Sequence, residues 1–192
     1  MRTFVGIFLV AVCAGLAAAS AGAATEPRAH GNGATAFQDF SFTAQGTPTD
    51  ANGNVSAHIP FAEFFGIKSP PLLIHGRVEC LNVIPGVAGV GDRAILTGTV
   101  THVQHFPEEE TGEAIASFFQ FDRFYIHVED NVDKNDPMAE VNPDRWNGTF
   151  YRREFAELTA GFTAEELEDC RNLLVTGNAL VEGDIEVLRA DG

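Results

Sequence analysis

Leu72-Leu73-Ile74-His75-Gly76-Arg77-Val78-Glu79-Cys80-Leu81-Asn82-Val83 is followed by the turn-rich Pro85-Gly86-Val87-Ala88-Gly89-Val90-Gly91-Asp92. Then comes Arg93-Ala94-Ile95-Leu96-Thr97-Gly98-Thr99-Val100-Thr101-His102-Val103. Two β-rich runs around a Gly/Pro/Asp cluster predict a long-looped hairpin. Pairing about its midpoint sets Leu81 against Leu96, Val83 against Ala94 and His75 against His102. Apolar residues fall on both faces, so the sequence leaves the register open, and a bulge would shift it. Cys80 lies in the first strand, which makes this hairpin the anchor for a disulfide.

The segments on either side of the hairpin extend an all-β pattern. Phe40, Phe42 and Ala44 alternate with Ser41 and Thr43, as in a half-buried strand, and Val55, Ala57 and Ile59 repeat the pattern. Between them Asn52-Gly53, a dipeptide that accepts positive φ, predicts a turn. Phe61 to Phe65 is apolar at both the helical and the strand period, and Ser69-Pro70-Pro71 closes it. Downstream, Phe106 to Ala116 reads as a solvated acidic loop. Phe124, Ile126 and Val128 oppose Arg123, Tyr125 and His127 on a further strand, and Thr149 to Arg153 makes a short one. Thr163-Ala164-Glu165-Glu166 is a capping box and starts the one expected helix, with Leu167, Cys170 and Leu174 on its inner face. Leu180 to Leu188 supplies a closing strand. Seven to eight short strands and one short C-terminal helix predict an antiparallel β-sandwich or small barrel.

Ahead of this pattern, Met1 to Ala23 reads as a secretory signal. Arg2 is its basic start, Phe4 to Leu16 its apolar stretch and Ala21-Gly22-Ala23 its small-residue cleavage site. Cys13 is expected to leave with it. Residues 24–36 read as a flexible lead-in and 37–192 as one soluble domain, within the usual length of about 100 to 200 residues. The remaining cysteines, Cys80 and Cys170, make an even count in an exported chain and predict one disulfide.

The whole chain has 12 basic against 27 acidic residues, a formal charge of −15. Without Arg2 it would be 11 against 27, or −16. Such a balance argues against nucleic acid or an anionic membrane as partner, because phosphate recognition needs clustered Lys and Arg. The densest supply of oxygen ligands is the polar stretch from Asp130 to Asp144. There Asp130, Asp133, Asn135, Asp136 and Asp144 suggest a calcium site, against the plain alternative of a solvated acidic loop. Their spacing does not match an EF-hand. His75 and His102, as cross-strand neighbours, offer two imidazoles to a transition metal, against the plainer reading of two exposed strand histidines. Tyr125 and Trp146 are candidates for stacking on a ligand, although aromatics so placed more often pack in the core.

The run Gly76 to Val83, Ala94 to Val100, Val128-Glu129-Asp130-Asn131 and Pro143-Asp144-Arg145 resembles a group of small exported bacterial β-domains of the post-COAP type. The resemblance implies a hairpin, an Asp-Asn strand end, a Pro-Asp-Arg turn and a closing strand in that order. It implies no activity. Signatures of nucleophilic, zinc-dependent or phosphate-binding enzymes do not occur in the sequence. The sequence therefore supports an exported, disulfide-stabilised β-domain that binds an extracellular ligand. Its alternative is a secreted hydrolase acting on carbohydrate through loop carboxylates. A filled core would favour the first, and a concave aromatic cleft with facing carboxylates the second.

Overall fold

The computed structural model describes residues 25–60, 63–64, 67–68, 71–86, 91–105, 119–131, 143–172 and 177–190. Its strands are β1 (Arg28–Ala34), β2 (Asp39–Thr47), β3 (Asp50–Ile59), β4 (Glu63–Phe64), β5 (Ile67–Lys68), β6 (Leu72–Ile84), β7 (Asp92–His105), β8 (Arg123–Asp130) and β9 (Arg145–Tyr151). A 3-10 turn (Arg153–Phe155) and two five-residue helices, α1 (Ala156–Ala160) and α2 (Ala164–Glu168), precede β10 (Asn178–Ala179) and β11 (Glu182–Leu188). Nine strands form one antiparallel sheet in the order β10-β9-β8-β7-β6-β3-β2-β1-β11, while β4 and β5 pair separately. The all-β expectation holds, with more strands than the seven or eight predicted and a second short helix beside the capped one.

The sheet curls into a half-barrel, and the alternate residues facing inward meet in one core. Phe40, Phe42, Ile74, Leu81, Leu96, Phe124, Ile126, Trp146, Phe150 and Ile185 belong to it. Trp146 lies flat on Phe40, with ring centroids 4.1 Å apart and planes 3° from parallel. Trp146 and Tyr125 are both fully buried, so their packing reading is the correct one. Two inward glycines, Gly76 and Gly98, leave the space in which the Phe124 ring sits. A Cβ on either would come within 2.6 and 2.8 Å of that ring.

In the central hairpin Leu81 faces Leu96, Val83 faces Ala94 and His75 faces His102, as the midpoint pairing predicts. The register nevertheless slips twice on the way. Thr101 is an extra residue on β7 between the pairs His75/His102 and Gly76/Val100, and Glu79 is an extra residue on β6 between Val78/Gly98 and Cys80/Thr97. The two bulges lie on opposite strands, so each cancels the other's shift. Each also reverses the sidedness of its own strand. Leu72, Ile74 and Val78 point inward before Glu79 and Leu81 after it, which turns Cys80 outward.

Residues 28–34, expected to be part of a flexible lead-in, form β1 between β2 and β11 and belong to the domain. Their inward positions are Ala29, Gly31 and Gly33, and such small residues give no hydrophobic alternation. A Cβ at Gly31 would lie 2.9 Å from the Phe42 ring. The Asn52-Gly53 dipeptide is also not a turn. β2 and β3 join at Pro48-Thr49, with Thr47 opposite Asp50, and Gly53 lies within β3 at φ 153°. Its glycine serves a close approach instead, because a Cβ there would lie 2.0 Å from the Thr43 carbonyl oxygen. The strand expected at Thr149 to Arg153 starts earlier, at Arg145, and ends at Tyr151.

On the outside, α1 and α2 cover part of β7, β8 and β9. The capping box is present: Thr163 Oγ1 accepts from Glu166 N, and Glu166 Oε2 accepts from Thr163 N. Leu167 and Cys170 join Ile95, Tyr125, Tyr151 and Ala156 in a second apolar cluster, with Cys80, Ile84 and Phe162 at its border. Leu174 lies outside the described residues. The Cys80–Cys170 disulfide, with Cα atoms 6.1 Å apart, fastens this cover to the bulged part of β6. Tyr125 Oη donates to the Asn172 carbonyl at 2.8 Å, and Thr97 Oγ1 donates to that of Glu168 at 3.2 Å.

Candidate functional site

Two places on this scaffold concentrate polar side chains. The first is the seam where β11, the edge strand, meets the ends of β8 and β9. An edge strand presents unpaired amides, which need acceptors once they are covered. Asp144 Oδ2 accepts from Ile185 N and its Oδ1 from Asn131 N, both at 2.9 Å. Asp130 Oδ2 accepts from Val187 N at 2.9 Å. The sequence placed both carboxylates in a calcium loop, and here they close the half-barrel. Asp133, Asn135 and Asp136, the other three residues of that expectation, lie outside the described residues, as do the signal segment and the acidic loop at Glu108-Glu109-Glu110.

The seam is electrostatically loaded. Desolvation is the main reason that the Asp130 carboxyl is pushed up to about 6, with repulsion from Asp144, Asp184 and Asp92 adding to it and the Val187 amide opposing it. Asp92 shifts the other way. Its hydrogen bonds from Arg189, together with one from the Gly86 amide, outweigh burial and hold it below the usual carboxylate range.

The second place is the outside of β1, β2, β3 and the first half of β6, which no helix covers among the described residues. Register lines its side chains up in rows. One runs Glu186, His30, Thr43, Asn54, Arg77 and Thr99; the next runs Asp184, Asn32, Ser41, Ser56, His75 and His102. An open depression of about 590 Å³ lies along the first row, lined by Arg28, His30, Thr43, Gln45, Asn52, Asn54 and Arg77 with the backbone around Gly53. A smaller one of about 310 Å³ adjoins it over Asn32, Ser41, Ser56 and His75. The larger is lined by amides, a hydroxyl, an imidazole and guanidinium groups, and the smaller by amides, hydroxyls and imidazoles with Phe42 and Val55; no carboxylate lines either one, while Glu186 and Glu79 contact His30 and Arg77 from outside the lining.

A charged chain separates this bare face from the covered one. Arg77 contacts Glu79 at 3.1 Å, Glu79 contacts Arg123 at 2.9 Å, Arg123 contacts Glu168 at 3.3 Å and Glu168 contacts Arg153 at 2.9 Å. Burial works against Glu79, but hydrogen bonds from Thr99, Arg77 and Arg123 together hold its carboxyl low. Among the described sequence candidates, His75 lines the smaller of these two depressions, and Asp130 and Asp144 belong to the seam. The other lining residues escaped the sequence reading. They are polar positions on four strands, and only the register brings them together.

The fold and its covalent link define an all-β, disulfide-linked domain. No family model, no curated protein and no solved structure matches the chain. Among the described residues no helix is long and apolar enough to cross a membrane, and the disulfide fits a non-reducing environment.

Proposed function

We propose that this is an exported binding module that takes an oxygen-rich, negatively charged ligand, of the kind offered by a uronate- or sulfate-bearing saccharide, on the bare face of β1, β2, β3 and β6. The observation that carries the reading is the lining of the larger depression. A chain of formal charge −15 gathers Arg28, Arg77 and His30 there, among three amides and a hydroxyl. Guanidinium groups recognise carboxylate and sulfate oxygens through paired N–H donors, and amide and hydroxyl groups match sugar hydroxyls. The half-barrel interior is filled by Trp146, Phe40, Phe124 and their neighbours, so binding falls to the outer surface. Export rests on the signal-like start of the sequence and on the disulfide. The resemblance to post-COAP domains fits the same reading and adds no activity. The hydrolase alternative requires two facing carboxylates at the ligand, and the depression offers donors instead.

The test is isothermal titration with oligogalacturonate, a sulfated oligosaccharide and a neutral oligosaccharide of equal length, using wild type and Arg28→Ala/Arg77→Ala. Binding of an acidic oligosaccharide, weakened at least tenfold in the variant, is the expected result. Equal binding of the neutral oligosaccharide, or release of new reducing ends, overturns the proposal.

A further inference from the structure

We infer that His75 and His102 form a two-histidine site for a divalent transition ion, copper above all, on the bare face beside the smaller depression. The two residues are directly opposed on β6 and β7, with ring centroids 6.2 Å apart and planes 20° from parallel. A nitrogen-to-metal distance of about 2.0–2.1 Å on each side, plus the size of two rings, spans about that separation, so one ion fits between them once both rings turn to aim a nitrogen lone pair, which lies in the ring plane, at it. Sidedness is what makes the pair. Without the extra residue Thr101, β7 would keep its alternation from Val100 and turn His102 inward. With it, Thr101 and His102 are both exposed, and Thr101 Oγ1 donates to the His75 carbonyl at 3.2 Å. A bulge that re-aims one side chain is a common device at sites.

The other two histidines on this face are differently engaged. His30 lies 3.1 Å from Glu186, and His58 Nδ1 lies 3.2 Å from Asp39. His75 and His102 face each other instead. Among the described residues no cluster of three or more His, Cys, Asp or Glu occurs, so the protein ligands proposed are these two imidazoles, with water in the remaining positions. Neutral imidazole suits copper, nickel and zinc, and affinity for a given nitrogen site rises toward copper in this series. Calcium, which requires oxygen ligands, is excluded from the pair by the same chemistry. The inference is independent of the anionic-ligand reading, since it uses a different row of side chains.

The experiment titrates copper and zinc chlorides into tag-free protein and into His75→Gln, His102→Gln, the double variant and, as control, His58→Gln. Metal-free melting curves establish that each variant is folded. The expected result is one site per chain, weakened at least tenfold by either single substitution and unaffected by His58→Gln. Electron paramagnetic resonance of the copper form should show two nitrogen ligands in the wild type and fewer in His102→Gln. Unchanged affinity in the double variant, or loss in His58→Gln alone, overturns the inference.

Discussion

The outside of this sheet has two halves that obey different rules. Over β7, β8 and β9 the outward positions are Ile95, Tyr125 and Tyr151, and α1, α2 and the disulfide bury them. Over β1, β2, β3 and the start of β6 the outward positions are His30, Asn32, Ser41, Thr43, Asn54 and Ser56, and among the described residues they carry no such cover. Both halves share one inner core, so the difference lies in outward residues alone. The Glu79 bulge stands at the boundary, where it turns Cys80 to the covered side. The comparison teaches that one sheet can carry a covalently fastened apolar cover at one end and the polar face proposed for recognition at the other.

The largest expected effect comes from removing the covalent link on the covered half. Cys80 and Cys170 are 90 residues apart, and chain-entropy arguments for such a loop give about 4–5 kcal/mol as an upper figure. Cys80→Ala/Cys170→Ala should lower the denaturant midpoint by more than any substitution on the bare half. Arg28→Ala/Arg77→Ala should shift stability by about 0.5 kcal/mol or less, as exposed polar changes do. Equal losses in the two experiments would erase the distinction.

Next in size is the seam that holds both halves closed. Asp144 accepts one amide on each oxygen, so Asp144→Asn turns one acceptor into a donor facing an N–H. A loss of about 2–3 kcal/mol in urea unfolding is expected. Asp130→Asn keeps an acceptor for the Val187 amide and removes an ill-placed charge, so it should be neutral or stabilising at pH 7.

The same pair gives a pH dependence of opposite sign to the ordinary carboxylate case. The folded Asp130 carboxyl titrates at about 6, above the unfolded value of about 3.9, so the folded state holds that proton more tightly. Its contribution therefore makes stability fall as pH rises from about 4 to 6. Because the group is only partly buried, solvent screening reduces the effect to the order of 1 kcal/mol. Asp92 is held low by Arg189 and contributes the reverse, a stabilisation lost on acidification. Melting curves of wild type and Asp130→Asn across this range should differ in slope. Identical slopes would remove Asp130 from the seam's electrostatics.

The smallest effect tests how well the covered half is satisfied. Tyr151 is fully buried, and its hydroxyl finds no hydrogen-bond partner among the described residues. Burial and the nearby Glu168 push its ionisation well above the usual range. Tyr151→Phe should be neutral or stabilising, by up to about 1 kcal/mol, in thermal unfolding.

The central hairpin was legible because its partners are set by symmetry about one turn, and two opposed bulges leave that symmetry intact at both ends. β1 was not legible, since Ala29, Gly31 and Gly33 pack by being small. Asn52-Gly53 misled because a glycine that lets strands approach looks the same in sequence as one that reverses the chain. The acids at 130 and 144 read in the sequence as oxygen ligands of one loop; that they also accept from Val187 and Ile185, more than forty residues away in sequence, is a relation that exists only after the sheet has curled. The bare face was hidden for a similar reason. Thr43, Asn54 and Arg77 become one row only through the pairing of β2, β3 and β6. The available signal was the type of outward residue on those strands, amides and hydroxyls alternating with Phe, Val and Ala.

The central claim is that recognition belongs to the bare half, and amide chemical-shift mapping of the protein with an acidic oligosaccharide tests it most directly. The account predicts perturbations confined to Arg28, His30, Thr43, Asn54, Arg77 and their neighbours, with the resonances under α1 and α2 unmoved. Shifts centred on the seam carboxylates or beneath the helices would contradict it.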